Sequence, residues 1–526
     1  MRFFNTAGPV NCAEHYCLPP LVRINFTEVA GLIAQKKYFI LHAPRQVGKT
    51  SALLAMMDQL NRGDDYRCLY INVEAAQAVR EDVDAAMRTI LGELSLRAHD
   101  YLNDPYPGQA TQDVLTTYGG AGALNAMLTL WARQSPKPLV LLIDEIDSLI
   151  GDTLIAVLRQ LRAGYDKRPA GFPQSVVLCG VRNIQDYRIH SSREKAIITG
   201  GSAFNIRAES LRLGDFSREE MERLYQQHTA ETGQPFTTDA LEQLWYWTQG
   251  QPWLVNALGY ELTFKMAAGR DHSQPLTADM VLEAKERLIM RRETHLDQLA
   301  DKLREDRVKR VIEPILSGEG DPSLIPTDHI DYVRDLGLLK ANARQLEIAN
   351  PIYQEVIPRE LTYSTQYTIV QEAAWYVGAD GRLQMEKLLT AFQQFFREHA
   401  EHWIERFQYQ EAGPQLLLQA FLQRIINGGG YIQREYGLGR RRTDLLILWR
   451  TPAGDFQRVV IETKLRRGSR EATIEQGLPQ VWGYMDQANA DEGHLIIFDR
   501  TASPWAEKIF TQHRRHQGVA IQVWGM

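Results

Sequence analysis

Between Lys37 and about Leu213, short apolar runs alternate with helical patterns. The runs are Tyr38-Phe39-Ile40-Leu41, Cys68-Leu69-Tyr70-Ile71-Asn72-Val73, Leu139-Val140-Leu141-Leu142-Ile143 and Val176-Val177-Leu178-Cys179. A strand that is apolar at consecutive positions, rather than at every second one, is buried on both faces. The pattern predicts a doubly wound parallel sheet in an α/β domain. From Ser217 to about Arg292 the period becomes helical. Ser217 with Glu220 predicts a capping box, followed by Met221, Leu224 and Tyr225 on one face. Between His295 and Leu361, two short helices precede Leu336-Gly337-Leu338-Leu339, Gln345-Leu346-Glu347-Ile348-Ala349 and Pro351-Ile352-Tyr353. Helix, helix and a short β-pair predict a winged helix-turn-helix. Residues 366–408 carry aromatics at helical spacing and read as a helical connector. From Gln410 onward the pattern predicts a helix (Pro414–Ile426), strands Tyr431–Tyr436 and Thr443–Trp449, a turn at Pro452-Ala453-Gly454 and a strand Arg458–Leu465. A helix Ala472–Gln487, a strand His494–Asp499 and a last helix and strand close the chain. This α-β-β-β-α-β order predicts a second mixed sheet with its own core.

At 526 residues the chain is too long for one hydrophobic core, and three or four domains are expected. Apolar and charged fractions of 44% and 24% are those of a soluble globular protein. A net charge of −6 excludes a uniformly basic nucleic-acid binder, so any such surface must be a local patch. No apolar run reaches the roughly 18 residues that span a bilayer, and no basic-then-apolar leader opens the chain. The cytoplasm is the expected compartment. Of the four cysteines, Cys12 and Cys17 lie close, at the outer edge of zinc-ligand spacing, with no second pair following. All four, with Cys68 and Cys179, read as reduced thiols. His190, His228 and His295 have no metal spacing, and Trp245, Trp247 and Trp253 read as packing residues.

Phe39-Ile40-Leu41-His42-Ala43-Pro44-Arg45-Gln46-Val47-Gly48-Lys49-Thr50 runs from a strand through a loop into a helix, Ser51–Leu60. From Gly48 onward it matches the Walker A pattern. Ala43 stands where the first glycine usually sits, which is tolerable if its φ stays negative. A tight loop aims backbone N–H groups at phosphates, and the helix N-terminus adds positive potential. Ala43, Pro44, Arg45, Gln46, Val47, Gly48, Lys49, Thr50 and Ser51 are therefore expected to cradle ATP. Lys49 would reach the β- and γ-phosphates, and Thr50 would offer its hydroxyl to Mg²⁺. The apolar run ending in Asp144-Glu145 is a Walker B strand. There Asp144 would hold Mg²⁺, through water, and Glu145 would polarise the attacking water.

Three further features have two readings each. Arg182 or Asn183, at the exit of the next strand, would sense the γ-phosphate or lie in a solvated loop. Arg159 and Arg162 occupy an exposed helix face or act as arginine fingers toward a neighbouring subunit of a homo-oligomer. His15-Tyr16-Cys17-Leu18-Pro19-Pro20 covers the adenine or simply packs. With the segment Gly250-Gln251-Pro252-Trp253-Leu254-Val255-Asn256 and the winged helix, these motifs resemble bacterial and archaeal AAA-like (STAND-related) ATPases over about residues 1–365. The resemblance implies a helical lid, the Gly-Gln-Pro segment near the nucleotide and a nucleotide-driven switch. Some P-loop switches hold nucleotide and rarely turn it over.

Near the C-terminus, Asp444 opens one strand, and Glu462 and Lys464 lie on the next. Residues i and i+2 of a strand share a face, so Glu462 and Lys464 project together. The Pro452–Gly454 turn makes the two strands a hairpin that brings Asp444 beside Glu462. Two carboxylates and a backbone carbonyl suit Mg²⁺, which lowers the pKa of a bound water, while Lys464 orients it or meets developing charge. A salt bridge between an edge-strand lysine and acids has the same pattern. Arg434, Arg440, Arg441, Arg442, Arg466, Arg467 and Arg470 flank the cluster as a solvated face or as a seat for a nucleic-acid backbone, with no sign of base readout. Tyr431, Tyr436 and Trp449 interleave with them, as strand cores also require.

Residues 409–500 resemble the PD-(D/E)XK nuclease superfamily. The resemblance implies a metal-associated role for Glu411 and a Gln-xxx-Tyr feature at Gln480 and Tyr484. It departs at Arg442-Thr443, where a proline often precedes the aspartate. The expected division is a P-loop core (1–215), a helical lid (216–292), a winged-helix-like domain (293–365), a helical connector (366–408) and a restriction-endonuclease-like domain (409–526). The expected activity is an ATP-dependent or ATP-gated, Mg²⁺-dependent nuclease acting on DNA, in defence or mobile-element processing. The other reading is a nucleotide-dependent scaffold switch with an inactive nuclease-like module.

Overall fold

A computed structural model describes residues 2–182, 188–191, 196–199, 207–291, 299, 301–317, 325–340, 346–368, 376–406, 412–426, 430–435 and 444–526. The chain forms two compact units. One comprises Met1–Leu288 with Arg334–Gly337, and the other Ile289–Val333 with Leu338–Met526.

The first unit is built on β1 (Tyr38–His42), β2 (Arg67–Asn72), β3 (Leu139–Asp144) and β4 (Ser175–Gly180), the four apolar runs of the sequence. After the small antiparallel pair β5 (Arg188–Ser191) and β6 (Ala196–Thr199) comes β7 (Arg207–Arg212), and the five-stranded sheet has the order β2-β3-β4-β1-β7 with every pairing parallel. The consecutive apolar positions have a direct cause. Tyr38, Ile40, Leu69, Ile71, Leu141, Ile143, Val176 and Leu178 enter one core, packed by α3 (Val83–Leu102), α4 (Tyr106–Gln134) and α5 (Gly151–Ala163). Their alternates Phe39, Leu41, Cys68, Tyr70, Val140, Leu142, Val177 and Cys179 enter the opposite core, with α1 (Phe26–Ala34) and α2 (Lys49–Arg62). The helices that follow are α6 (Arg218–Thr232), α7 (Thr238–Thr248) and α8 (Pro252–Tyr260). The expected capping box is present: Ser217 Oγ accepts from the Glu220 N–H at 3.2 Å, and the Glu220 carboxylate accepts from the Ser217 N–H at 2.8 Å.

The second unit holds a six-stranded mixed sheet, β12-β13-β11-β10-β9-β8. Its strands are β8 (Gly430–Glu435), β9 (Asp444–Arg450), β10 (Phe456–Leu465), β11 (Glu492–Phe498), β12 (Phe510–His516) and β13 (Val519–Gly525). Strands β8, β9 and β10 pair antiparallel, β10 with β11 and β11 with β13 parallel. The helix Arg470–Ala488 covers one face through Ile474, Leu478, Val481 and Met485 against Leu446, Leu448, Val460, Leu495 and Val523. The helices Met385–Arg406 and Gly413–Ile426 pack together through Phe392 and Phe421, ring centroids 5.2 Å apart. Phe396 of the longer helix meets Phe498 of β11, also at 5.2 Å.

Three expectations change. Pro351-Ile352-Tyr353 is not a strand but the start of a helix, Pro351–Thr368. Asn350 accepts the Tyr353 N–H at 2.9 Å, so Asn-Pro here is an N-cap followed by a proline at the first helical position. The β-pair before it stands: Lys340 N–H donates to Glu347 O and Ala349 N–H to Leu338 O. The chain ends in a four-residue helix (Trp505–Lys508) and two strands rather than one. Cys12 and Cys17 are joined in a disulfide rather than reduced, because the Phe3–His15 bridge folds the N-terminal segment back and brings their Cα atoms to 5.3 Å. Cys68 and Cys179 are free and buried, as expected. No helix of the described residues is long and apolar enough to cross a membrane.

Candidate functional site

The phosphate loop joins β1 to α2. Ala43 does not take a positive φ; the left-handed positions are Gln46 (57°) and Gly48 (101°). Gly48 caps α2, and a Cβ there would lie 3.0 Å from the Arg23 guanidinium. Arg23 donates to the carbonyls of Val47 and Gly214 and lies 4.6 Å over the Phe216 ring. Burial lowers its pKa to about 10, against the pull of Glu220 and Asp215, so it is charged at neutral pH.

Lys49, the first residue of α2, is 6% exposed, and its ammonium donates to the Ala43 and Pro44 carbonyls at 3.0 Å each. Thr50 donates its hydroxyl to Asp144 Oδ2 at 2.7 Å. The Walker B aspartate is fully buried at the end of β3, and its Oδ1 accepts the Glu145 N–H at 3.0 Å. Glu145 leaves the strand in the left-handed region (φ 56°), a conformation that costs a non-glycine residue about 1–2 kcal/mol. Burial holds its carboxyl above the ordinary range, reinforced by Asp147, Asp144 and Glu74 and opposed by Lys49. Ser51, the last cradle residue, accepts the Val10 N–H on its hydroxyl at 3.0 Å.

Two partners were not legible as site residues. Tyr70 of β2 donates its hydroxyl to the Asp144 oxygen that Thr50 also uses, at 3.1 Å. Burial and the Asp144 charge push the Tyr70 pKa up, so the hydroxyl keeps the proton it donates. The one sequence signal is a polar-tipped residue in an otherwise aliphatic buried strand. Asp335, at the end of the helix Thr327–Asp335, lies 3.9 Å from both His42 Nδ1 and Arg182 Nε. Gly337 follows at φ 78°, and a Cβ on it would stand 2.8 Å from the Pro44 side chain. Arg182 thus sits beside a carboxylate at the exit of β4, and Asn183 lies outside the described residues.

In the second unit, the antiparallel register pairs Glu462 directly with Asp444. Glu462 is fully buried, and Lys464 Nζ meets its Oε1 at 2.8 Å, so the expected shared face of positions 462 and 464 is observed. Gln480 and Tyr484 lie half-buried on the helix Arg470–Ala488. Arg466 is ion-paired to Asp499 at 2.6 Å, and Arg470 donates to the Glu507 carbonyl with its guanidinium 4.4 Å over Phe510. Both arginines are therefore engaged within the fold. Glu411, Arg440, Arg441, Arg442, Thr443, Tyr436 and His295 lie outside the described residues, and Arg434 is described as backbone of β8.

The donor chemistry bears on Mg²⁺. At the first site a hydroxyl and a carboxylate stand together beside a lysine, the hard oxygen set that Mg²⁺ takes along with phosphate and water. At the second, one buried carboxylate faces a lysine across from a second aspartate position. Among the described residues no group of three or more His, Cys, Asp or Glu side chains is arranged to hold a metal ion.

Residues 33–187 match the family model of the AAA domain. With the parallel five-stranded sheet and the Walker geometry, this part of the chain is an AAA-type P-loop ATPase domain. Among solved structures, the chain is similar to a Walker-type ATPase of Pyrococcus abyssi. Identity is 13%, over 67% of this chain and 99% of that one, with a TM-score of 0.45. It is also similar to the Thermotoga maritima RuvB Holliday junction branch migration motor (14%, 63% and 91%, TM-score 0.33). A third is Cdc6p of Pyrobaculum aerophilum (13%, 65% and 93%, TM-score 0.35). No curated protein matches the chain.

Proposed function

We propose that the chain is an ATP-binding and ATP-hydrolysing protein whose C-terminal domain cleaves nucleic acid, DNA foremost, with Mg²⁺ and under control of the nucleotide state. The observation that carries the first half is the convergence of Lys49, Thr50 and Asp144 at the head of α2, with Glu145 beside them. Lys49 exchanges its two loop carbonyls for β- and γ-phosphate oxygens. Thr50 and Asp144 hold Mg²⁺, which supplies charge neutralisation on the transferring phosphoryl group. Glu145, kept above its ordinary pKa by burial, accepts the proton of the attacking water. Residues 216–292 act as the lid, and 293–365 as a winged-helix-like element that responds to turnover.

Three outcomes follow for this half. Glu145→Gln binds ATP like wild type and loses about 10²–10⁴-fold in hydrolysis, read by phosphate release under saturating ATP. Because the Glu145 carboxyl is held high, it takes up a proton at a higher pH than an exposed glutamate. Turnover therefore falls on acidification before an ordinary carboxylate would titrate, and a pH–rate profile of the wild type checks this. Tyr70→Phe removes one donor to Asp144, raising the Mg²⁺ concentration for half-maximal turnover while Mg²⁺-free nucleotide binding stays unchanged. An unchanged Mg²⁺ requirement in Tyr70→Phe contradicts the positioning role.

What supports the nuclease half is the Glu462–Asp444 register with Lys464 paired to Glu462. Residues facing one another across an antiparallel ladder carry their Cβ atoms on the same face. In this reading Asp444, Glu462 and Glu411 hold Mg²⁺, and Lys464 orients the hydrolytic water. Gln480 and Tyr484 line the same region, and Arg434, Arg440, Arg441, Arg442, Arg466, Arg467 and Arg470 meet the backbone. The second reading, a switch with an inactive module, is favoured by one observation: Lys464 already neutralises Glu462, as a purely structural buried pair does. Cleavage assays on DNA and RNA, with and without Mg²⁺ and ATP, decide between them. Mg²⁺-dependent cleavage supports the nuclease, and its absence on every substrate supports the switch.

A further inference from the structure

The N-terminal segment touches both the phosphate loop and the lid helices. Phe3 pairs with His15, and between them the chain runs out to the first turn of α2, where the Val10 N–H reaches Ser51. The outgoing limb is anchored on the lid. The Thr6 carbonyl accepts from Trp253 Nε1 at 3.0 Å. Phe4, fully buried, packs on Tyr225 and lies where a Cβ on Gly259 would be 2.7 Å away. The returning limb is anchored on α6. The Cys17 N–H donates to Gln227 Oε1 at 3.1 Å, the Cys17 carbonyl accepts from Gln227 Nε2 at 2.9 Å, and the Tyr16 hydroxyl meets His228 at 3.2 Å. Arg23 then returns to the Val47 carbonyl of the phosphate loop. Between Val10 and Arg23 the strap therefore grips the loop and α2 at its ends and the lid in its middle.

The Cys12–Cys17 disulfide closes the part of this strap that spans the two anchors. Cys12 is exposed and Cys17 half-buried, so one sulfur is open to a thiol in solution. We propose that this pair is a thiol–disulfide switch that sets how fast nucleotide leaves the P-loop domain; it rests on the ATP-binding reading. The lever is chain length. With the bond in place, Val10 is tied to Cys17 through two residues and a 5.3 Å Cα–Cα link, a reach of roughly 12 Å. Reduced, they are seven residue steps apart, and the reach grows to roughly 24 Å. Thr6 ties α8 to the Val10 anchor in either state, so what the shorter strap limits is how far α6, held at Cys17, swings from α2 about that tie.

The chemistry closes with a dithiol as reductant. One of its thiolates attacks Cys12 Sγ, the sulfur–sulfur bond breaks, and Cys17 leaves as a thiolate that takes a proton. The second thiol of the reductant then displaces Cys12, which is protonated in turn. Two electrons and two protons pass to the protein, and the reductant leaves as its own disulfide.

The test uses the full chain, a fluorescent ATP analogue and stopped-flow release. The oxidised protein is compared with dithiol-treated protein and with Cys12→Ser and Cys17→Ser. Release is expected to be faster by on the order of tenfold in the reduced protein and in both variants, the scale on which a cross-link of this size acts. Dithiol is expected to change nothing further in either variant. Equal release from oxidised and reduced forms that both bind the analogue overturns the switch alone. So does a thiol titration that finds Cys12 and Cys17 still reduced after oxidising treatment. Failure of every form to bind overturns the ATP-binding reading, and the switch with it.

Discussion

Lys49→Ala is expected to lose nucleotide binding while keeping the fold. The ammonium is 6% exposed and held at the head of α2 by two carbonyls, so its rotamer is set before any phosphate arrives. Truncating one partner of a desolvated charge pair costs about 2–5 kcal/mol, which is roughly 30-fold to several thousandfold in Kd. The fold loses only two neutral acceptors' partner, about 1 kcal/mol each, and is relieved of a buried charge. Calorimetric titration with ATP and Mg²⁺ reads the first effect, and thermal unfolding without nucleotide reads the second. A Kd within about threefold of wild type, in a protein that melts normally, removes Lys49 from the phosphate site.

The second large effect is at Glu462. Glu462→Ala is expected to lower Mg²⁺-dependent cleavage by about 10³-fold or more, since a metal contributes several kcal/mol of transition-state stabilisation and one carboxylate helps to fix it. ATP binding is spared. The alanine also leaves Lys464, 11% exposed, without the carboxylate 2.8 Å away, and breaking a buried pair costs about 3–5 kcal/mol of stability. Glu462→Gln keeps the shape and the hydrogen-bonding oxygen, so it separates lost chemistry from lost fold. Plasmid and single-stranded substrates, with circular dichroism on each variant, give both readouts. Cleavage by a folded Glu462→Gln protein equal to wild type withdraws the nuclease assignment.

The four apolar strands β1 to β4 and the phosphate loop are legible in the sequence because their determinants are contiguous. A strand covered on both faces must be apolar at successive positions, and a loop that wraps phosphates is one unbroken segment. The edges are not. β7, Arg-Ala-Glu-Ser-Leu-Arg, pairs on one side only in the described sheet, and β12, Phe-Thr-Gln-His-Arg-Arg-His, is half-exposed at alternate positions. Neither carries the run of apolar side chains that marks a buried strand. The hairpin register at Glu462 and Asp444 is legible because a local turn sets it. Tyr70, Arg23 and Val10 are not, since each reaches its partner across 74, 24 and 41 residues of chain. Pro351 misleads because an Asn-Pro pair marks turns and helix starts alike, and only the Tyr353–Asn350 hydrogen bond distinguishes them.

The return of Arg334–Gly337 to the first unit has a practical consequence for dissecting the molecule. A fragment cut at Leu288 would discard Asp335, the carboxylate beside His42 and Arg182, and Gly337, whose bare backbone fits against Pro44. Such a piece would expose one flank of its own phosphate loop, and its solubility and turnover would report on that wound rather than on the intact module. Expression boundaries for the ATPase half therefore belong beyond residue 337, with the intervening excursion carried along.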